Sequence, residues 1–472
     1  MPRDTFLLKT APQFDVHKWS DYPEVTRVVD AIFGEIKARR NARRKRVREA
    51  DKVKRHLRVV LIDLWAASKL SFNPYRAISK NKSDYQRGSR YRQIFLKYDY
   101  LIGVINDLCG LGYVEERLGF RFAGSKGRRT RIKATEKLIE KIQSPEHGIN
   151  SVIESRGLLS IVGSDGETET IFLMDSDDIE VEYEDTEDTT AWRENLKTIN
   201  NKLKSGRIAL KITDQQYADL VAKINSERDP NRRTINLTNV QLHRVFNNSS
   251  WEQGGRFYGG WWQNIPKEYR KYIEINHGQT TELDYSGHHI RILYAQEGLD
   301  PPDDPYDLDD YDRDKQKVAV LMMLNAYDLE KALKAMAREG INGARKLANA
   351  LTERHEPIKR HFFTGAGLGL MYQDSIIAEE VMLRMIQRGS VMLPVHDSFI
   401  VRSSYCEELE EIMKEVFERR LGRSAQLKYK KTALDEYHEE REQSGREFVT
   451  DDLAELLGSE YGNYGWYLSL WR

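Results

Sequence analysis

Two short apolar stretches, far apart in the chain, each carry an aspartate at or near their end. Asp284 lies in Thr281-Glu-Leu-Asp-Tyr-Ser-Gly-His-His289, and Asp397 lies in Leu393-Pro-Val-His-Asp-Ser-Phe-Ile400. Both stretches read as strands, and a helix-rich segment of more than a hundred residues separates them. A fold that sets the two strands side by side delivers two anionic oxygen donors to one spot. Such a pair can hold two Mg²⁺ ions, which activate an attacking oxygen and stabilise a leaving one in an in-line phosphoryl displacement. The residues therefore point to nucleotidyl-transfer chemistry. An Asp after a strand also serves as a helix N-cap or turn residue, and for Asp284 taken by itself that role is the commoner one.

The surroundings of each Asp add specificity. Asp284-Tyr-Ser, followed by the amphipathic run to Tyr294, resembles the first catalytic motif of A-family DNA polymerases. Val395-His-Asp-Ser-Phe399 resembles the second, where that family usually has His-Asp-Glu and the phage-type single-subunit RNA polymerases, which share the palm, have His-Asp-Ser. Upstream, Gly254-Gly-Arg-Phe-Tyr-Gly-Gly-Trp-Trp-Gln-Asn-Ile-Pro266 is similar to the family's Thr-Gly-Arg segment leading into Gln-Asn-Ile-Pro. Arg313-Asp-Lys-Gln-Lys317 repeats the Arg-x-x-x-Lys of the fingers helix; residues four apart share a helical face, and a guanidinium with an ammonium suits a triphosphate. Gln373 opens a helix running through Met385, ahead of the turn at Arg388-Gly389, where the family has a Gln. The resemblance spans roughly Arg244 to Gly422, with five motifs in order.

The resemblance implies an α+β fold: a right-hand polymerase palm with helical fingers and thumb-like elements, preceded by a winged-helix-type domain. It implies that Asp284 and Asp397 are the catalytic metal ligands, joined by the backbone carbonyl of Tyr285, for two Mg²⁺ ions or Mn²⁺ in their place. Arg313 and Lys317 would grip the triphosphate, with Leu321, His289 and Asn325 lining the rest of the nucleotide site. Arg256, Gln263, Asn264, Gln373 and His396 would lie along the primer-template. Three of these positions depart from the family. Leu321 stands where an aromatic stacks on the incoming base, and His289 and Asn325 stand where a Glu and a Tyr exclude ribonucleotides. Palm chemistry is therefore better supported than the choice of sugar, and Tyr327 is a candidate substitute for that gate. His288 and His289 are adjacent and do not share a helical face, which favours a helix-surface or substrate-contact role over metal ligation. Arg291 reads as a solvated or paired face residue.

Composition frames these motifs. The chain has 472 residues, 40% hydrophobic and 31% charged, enough for two or three domains. It carries no apolar run long enough for a membrane span and no signal-peptide pattern. Its two cysteines, Cys109 and Cys406, supply neither a disulfide framework nor a Cys-rich zinc site. A cytoplasmic protein is the simplest expectation. The formal charge of +0 hides segregation: Lys37 to Arg58 holds twelve Lys and Arg against Glu49 and Asp51, whereas Asp175 to Asp188 holds nine acids and no base.

Four regions are expected. A basic helical arm covers 1–56, its apolar face carrying Val25, Val28, Val29, Ile32, Phe33 and Ile36. A winged-helix-like domain covers 57–142, resembling those of plasmid and phage replication proteins: a core helix with Leu61, Leu64 and Trp65, a second over Tyr98 to Gly110, then a strand after Gly112, a basic turn around Lys126, Arg128 and Arg129, and a returning strand. Its candidate DNA contacts are Arg87, Arg90, Tyr91, Arg92, Lys97, Arg128, Arg129 and Arg131; an ordinary small helical domain with a hairpin has the same pattern. A solvated acidic linker covers 143–190, and no proofreading-exonuclease constellation is visible. The polymerase core covers 191–472, helical from Thr190 to Asn247 except near Asp229-Pro, and ends in an aromatic cluster, Tyr461 to Tyr467, suited to packing. The expected partners are DNA, as duplex and primer-template, and nucleoside triphosphates, with no membrane. The leading expectation is a templated DNA polymerase of a plasmid, phage or other mobile element. An RNA polymerase, primase or template-independent nucleotidyltransferase on the same palm is the alternative, and a non-catalytic DNA-binding replication initiator the second.

Overall fold

The computed structural model describes residues 8, 11–15, 18–20, 22–43, 49–70, 74–85, 97–119, 129–150, 163–164, 169–226, 237 and 239–430. Arg87, Arg90, Tyr91, Arg92, Lys126, Arg128, the segment 229–233 and the aromatic cluster 461–467 lie outside the described residues.

After a short strand, Lys18–Trp19 (β1), the chain enters helix Pro23–Ala42 (α1). Val25, Val28, Val29, Ile32 and Ile36 recur at helical spacing and are all buried, the apolar stripe a surface helix lays on a core. Pro23 sits in the first turn, where its missing N–H removes no bond. Helix Ala50–Leu70 (α2) buries Leu57, Leu61, Leu64 and Trp65. Strand Arg76–Ile78 (β2) and helix Tyr98–Gly110 (α3) follow, and Gly112 at φ 77° turns α3 into strand Val114–Arg117 (β3). Strand Thr130–Ala134 (β4) lies between β2 and β3 in an antiparallel sheet. Thr135 then caps helix Glu136–Ile142 (α4) by accepting the Leu138 N–H.

Two expectations change here. The break between residues 56 and 57 falls inside α2, so the arm and the module share a helix. Arg44, Lys45, Arg46 and Arg48 of the basic run lie outside the described residues, and several of its described side chains are occupied within the protein. Arg40 pairs with Asp107 at 2.6 Å, Lys54 pairs with Asp30 at 2.7 Å, and Arg39 donates to the Gly110 carbonyl. Arg58 donates to the Ser20 carbonyl and to the Thr26 hydroxyl. Lys37 and Arg43 remain exposed.

The acid-rich segment is not a free linker. Strand Gly163–Ser164 (β5) pairs with β1, and strand Ile171–Leu173 (β6) pairs in parallel with a strand seventy residues on, His243–Phe246 (β8). Glu169 accepts from both Nε and a terminal nitrogen of Arg193, and the Tyr183 hydroxyl donates to the Ile171 carbonyl. Asp175 closes a turn by accepting the N–H groups of Asp177 and Ile179. Between β6 and β8 lie helix Glu187–Ser205 (α5), strand Ile208–Leu210 (β7) and helix Asp214–Ser226 (α6). The region expected to be helical thus contains two strands; runs this short do not reveal their period.

Strand Gly254–Tyr258 (β9) completes the β6–β8–β9 sheet. After the one-turn helix Lys267–Arg270 (α7) come strands Ile273–Ile275 (β10) and Gly278–Tyr285 (β11). Four helices follow: His288–Gln296 (α8), Arg313–Asn325 (α9), Leu329–Arg338 (α10) and Ala344–Arg354 (α11). Helix Gly367–Gln387 (α12) begins six residues before Gln373, where sequence alone opened it. The hairpin Met392–Val395 (β12) and Ser398–Arg402 (β13), helix Cys406–Leu421 (α13) and strand Leu427–Tyr429 (β14) end the described chain. The largest sheet runs β12-β13-β11-β10-β7, with β14 also on β11, and all its pairings are antiparallel. Pro394 lies on the edge strand β12, where a missing donor is tolerated.

The fold is α+β, with two buried apolar clusters. One runs from Val25 to Phe417 and joins the N-terminal helices to the large sheet and α12. The other is confined to residues 290–370, the helical unit between the two aspartates. Among the described residues no helix is long and apolar enough to cross a membrane.

Candidate active site

β11 alternates as a half-buried strand should. Leu283 and Tyr285 are buried, and the Tyr285 hydroxyl donates to the Met413 carbonyl of α13 at 2.7 Å. Glu282 and Asp284 take the opposite face. Asp284 stands directly across from Ser398 of β13. One residue away, His396 and Asp397 form the two-residue turn of the β12–β13 hairpin, closed by the pair Val395 and Ser398. His396 holds φ at 59°, the left-handed conformation such turns require. The Tyr285 N–H donates to the Asp397 carbonyl at 3.2 Å. The end of β11 and the tip of the hairpin are thus hydrogen-bonded, and the two aspartates share one corner of the sheet. The Trp262 indole and the Gln263 amide both donate to the Pro394 carbonyl at 3.0 Å and fix the hairpin from its other side.

A third carboxylate, Asp374 of α12, lies beneath this corner and is 2% exposed. The Arg256 Nε of β9 donates to it at 2.6 Å, and the His288 Nε2 stands 3.3 Å away. A terminal nitrogen of Arg256 donates to the His289 Nε2 at 3.2 Å. Burial pushes the His289 imidazole down to about 3, so the ring is neutral and able to accept. Burial alone would raise the Asp374 carboxyl, but Arg256 and then His288 hold it well below the usual carboxylate range. The Asp397 carboxyl is pushed up to about 6, first by burial and then by the negative charges of Asp374 and Asp284. His288 is buried, whereas His289 is half-buried against Arg256.

Asp284 has its own counter-ion. The Lys430 Nζ lies 2.6 Å from its Oδ2. The cation and the acid are brought together by β14, whose Lys428 stands opposite Asp284 in the ladder.

A divalent cation fits this corner in one respect. Carboxylates from the end of β11 and from the hairpin turn share it, and the Asp397 carboxyl, raised first by burial, is raised further by the charges of Asp374 and Asp284, which a cation would relieve. Among the described residues no group of three His, Cys, Asp or Glu side chains is arranged to hold a metal. Mg²⁺ does not need one, because it keeps several waters and takes one or two carboxylates plus substrate phosphates.

The helical unit presents Arg313, Lys317, Leu321 and Asn325 at four-residue intervals along α9. Arg313 makes a two-pronged pair with Asp304, at 2.6 and 3.0 Å, and lies over the Tyr306 ring. Lys317 pairs with Asp314 at 3.2 Å. Leu321 is exposed, and the Asn325 amide donates to the Leu321 carbonyl at 2.9 Å. His289 and Asn325 thus have different partners. The Tyr306 hydroxyl is pushed up to about 12, first by burial, against the lowering effect of Arg313 over its ring. Tyr327 is exposed and packs over Gly365. Gln373 is half-buried on α12 beside Asp374, and the His396 ring meets Tyr258 edge-on. Asn264 is exposed. The Gln263 amide donates to the carbonyls of Phe257 and Pro394. Arg291 is paired, to the carbonyls of Ser286 and Asp303.

Three candidate DNA contacts are described. Lys97 is exposed and caps the start of α3, its N–H donating to His56 Nε2. Arg129 donates to the Gln13 side chain, and Arg131 donates to the Leu8 carbonyl at 3.0 Å. Both arginines therefore tie β4 to the chain's first residues. Sequence reasoning missed Asp374, Lys430, Asp304 and Tyr306. Asp374 was within reach, because it follows Gln373 in a motif already singled out. Lys430 carried no local signal.

No protein-family model and no curated protein matches the chain. Among solved structures, the chain is similar to the POL domain of Pol1 from M. smegmatis in complex with DNA primer-template and dNTP. The two share 12% identity over 91% of this chain and 69% of that one, with a TM-score of 0.24. A likeness that slight carries no argument about fold or function, which rest here on the residues.

Proposed function

We propose that the chain is a nucleotidyltransferase of the A-family DNA polymerase type, extending a primer on a DNA template. The observation that carries this is the corner where the β11–β13 ladder and the hairpin turn bring Asp284 and Asp397 together. In this reading the large sheet is the palm and α8–α11 are the fingers inserted between the two aspartates. Asp284 and Asp397 would hold two Mg²⁺ ions, with the Tyr285 carbonyl beside them. When bound, the ions supply a more acidic primer 3′-hydroxyl and neutralise the leaving pyrophosphate. Asp374 holds Arg256 in place next to Asp397, where a primer end would lie. Arg313 and Lys317 would exchange Asp304 and Asp314 for the triphosphate. The helix, strand, helix and hairpin over α2 to β4 support a winged-helix reading of the N-terminal module, which would recruit the enzyme to duplex DNA in a plasmid, phage or other mobile element.

A second reading keeps the palm and changes the sugar. His289 is a neutral imidazole bonded to Arg256, a polar neighbour for a 2′-hydroxyl where the family has a Glu. Primer extension decides among these readings: labelled primer-template against labelled single strand, dNTPs against NTPs, with and without Mg²⁺. Mg²⁺-dependent, templated dNTP addition is expected. Preference for NTPs would favour the second reading, addition to single strands a template-independent transferase, and no addition a DNA-binding initiator.

A further inference from the structure

Lys430 follows β14 directly, and its N–H donates to the Glu282 carbonyl at 2.9 Å. Its backbone is therefore fixed beside β11, close to Asp284. Its side chain is 42% exposed, whereas that of Asp284 is 22% exposed. The ammonium sits on Asp284 Oδ2 while the lysine stem keeps a path into water. The nearby guanidinium of Arg256 is held by Asp374, and that of Arg291 by backbone carbonyls. Among the described residues, Lys430 is the cation that meets Asp284 directly.

We propose that Lys430 is a tethered counter-ion that occupies the cation position on Asp284 and must be displaced for a divalent metal to bind. This rests on the reading of Asp284 and Asp397 as a metal site. An ammonium hydrogen-bonded to a carboxylate repels a divalent ion arriving on the same carboxylate. A lysine on a flexible four-carbon stem has a hydrated alternative, so it leaves. The exchange is purely ionic and makes or breaks no covalent bond. It keeps the corner charge-compensated in the metal-free protein, and it makes the protein's metal affinity lower than its carboxylates alone would give.

The test is Mn²⁺ binding to the metal-free full chain, followed by the electron paramagnetic resonance of free Mn²⁺, with no nucleotide or DNA. Lys430→Met is expected to tighten Mn²⁺ binding by about two- to fivefold, since a half-exposed ion pair on a carboxylate contributes up to about a factor of five. Lys430→Arg, which keeps the charge, is expected to bind like the unmodified chain. Adding Asp284→Asn to Lys430→Met is expected to abolish the gain. If Lys430→Met unfolds, which circular dichroism shows, Lys430→Gln takes its place. Unchanged or weaker binding in Lys430→Met, with binding still weakened by Asp284→Asn, overturns the counter-ion role and leaves the metal site standing. Mn²⁺ binding indifferent to both Asp284→Asn and Asp397→Asn overturns the metal site itself, and the counter-ion role with it.

Discussion

Asp374 lies inside the protein between the Arg256 guanidinium and the His288 ring. Replacing it by Asn leaves a buried guanidinium without its counter-charge, a change that destabilises by about 3–5 kcal/mol. Urea unfolding of Asp374→Asn checks this, and a loss below about 1 kcal/mol, the range of an exposed pair, would show that Arg256 finds another acceptor. Asp397 behaves in the opposite sense. Its folded carboxyl stands at about 6 against an ordinary 3.8. Between those values the folded chain keeps a proton that the unfolded chain has released, so stability falls as pH rises through the window and the cost is constant above it. At about 1.4 kcal/mol per pH unit, that cost is at most about 3 kcal/mol. Without divalent cations, Asp397→Asn is therefore expected to be more stable than the unmodified chain at pH 7.5 by about 1–3 kcal/mol and equal to it near pH 4. Thermal melts at the two pH values read this out. The same variant, and Asp284→Asn, is expected to lose nucleotide addition while retaining DNA binding. Near-normal Mg²⁺-dependent incorporation by either would remove the catalytic assignment.

At the level of elements, α9 carries its arginine already paired. Asp304 holds Arg313 in a two-pronged contact and is itself kept ionised by it, its carboxyl lowered first by the hydrogen bond from Arg313. If the triphosphate replaces Asp304, then Asp304→Asn lowers the nucleotide KM by a few-fold. Arg313→Ala raises it by about ten- to a hundredfold, the worth of a charged hydrogen bond. Steady-state kinetics on the two variants decide the matter, and a rise in KM for Asp304→Asn comparable to that for Arg313→Ala would make Asp304 a positioning residue instead. Long elements were readable in the sequence because their period is local. The stripe from Val25 to Ile36 and the run from Leu101 to Leu108 form helices where the spacing placed them. Short elements were not: Ile208–Leu210 and Ile171–Leu173 are three residues each, and partners far along the chain make them strands.

Across the whole molecule, one apolar cluster joins the N-terminal helices to the sheet that carries the aspartates. The basic run is split between ties inside this body and exposed side chains, and the two groups predict different outcomes. Lys37→Ala with Arg43→Ala in the full chain is expected to weaken duplex binding and to flatten its salt dependence, by about 0.9 in the log–log slope for each phosphate no longer neutralised. Arg40→Ala, which breaks the pair with Asp107, is expected to lower stability and leave the slope unchanged. Equal slopes for all three proteins, measured by fluorescence anisotropy across salt, would take Lys37 and Arg43 out of the DNA interface. The sequence by itself determined the candidate residues for the proposed chemistry, the order of the motifs and the long helices, because residue type and periodicity are properties of neighbours in the chain. Only the tertiary structure decided which charges meet. Arg256 finds Asp374 across 118 residues and Lys430 finds Asp284 across 146. It also decided that the chain entering the acid-rich segment is anchored through Glu169 and β6, while most of the acids from Asp175 to Asp188 stay exposed. A charge reports its own sign in the sequence, but its partner is chosen through space by the packing of strands and helices that share no sequence neighbourhood.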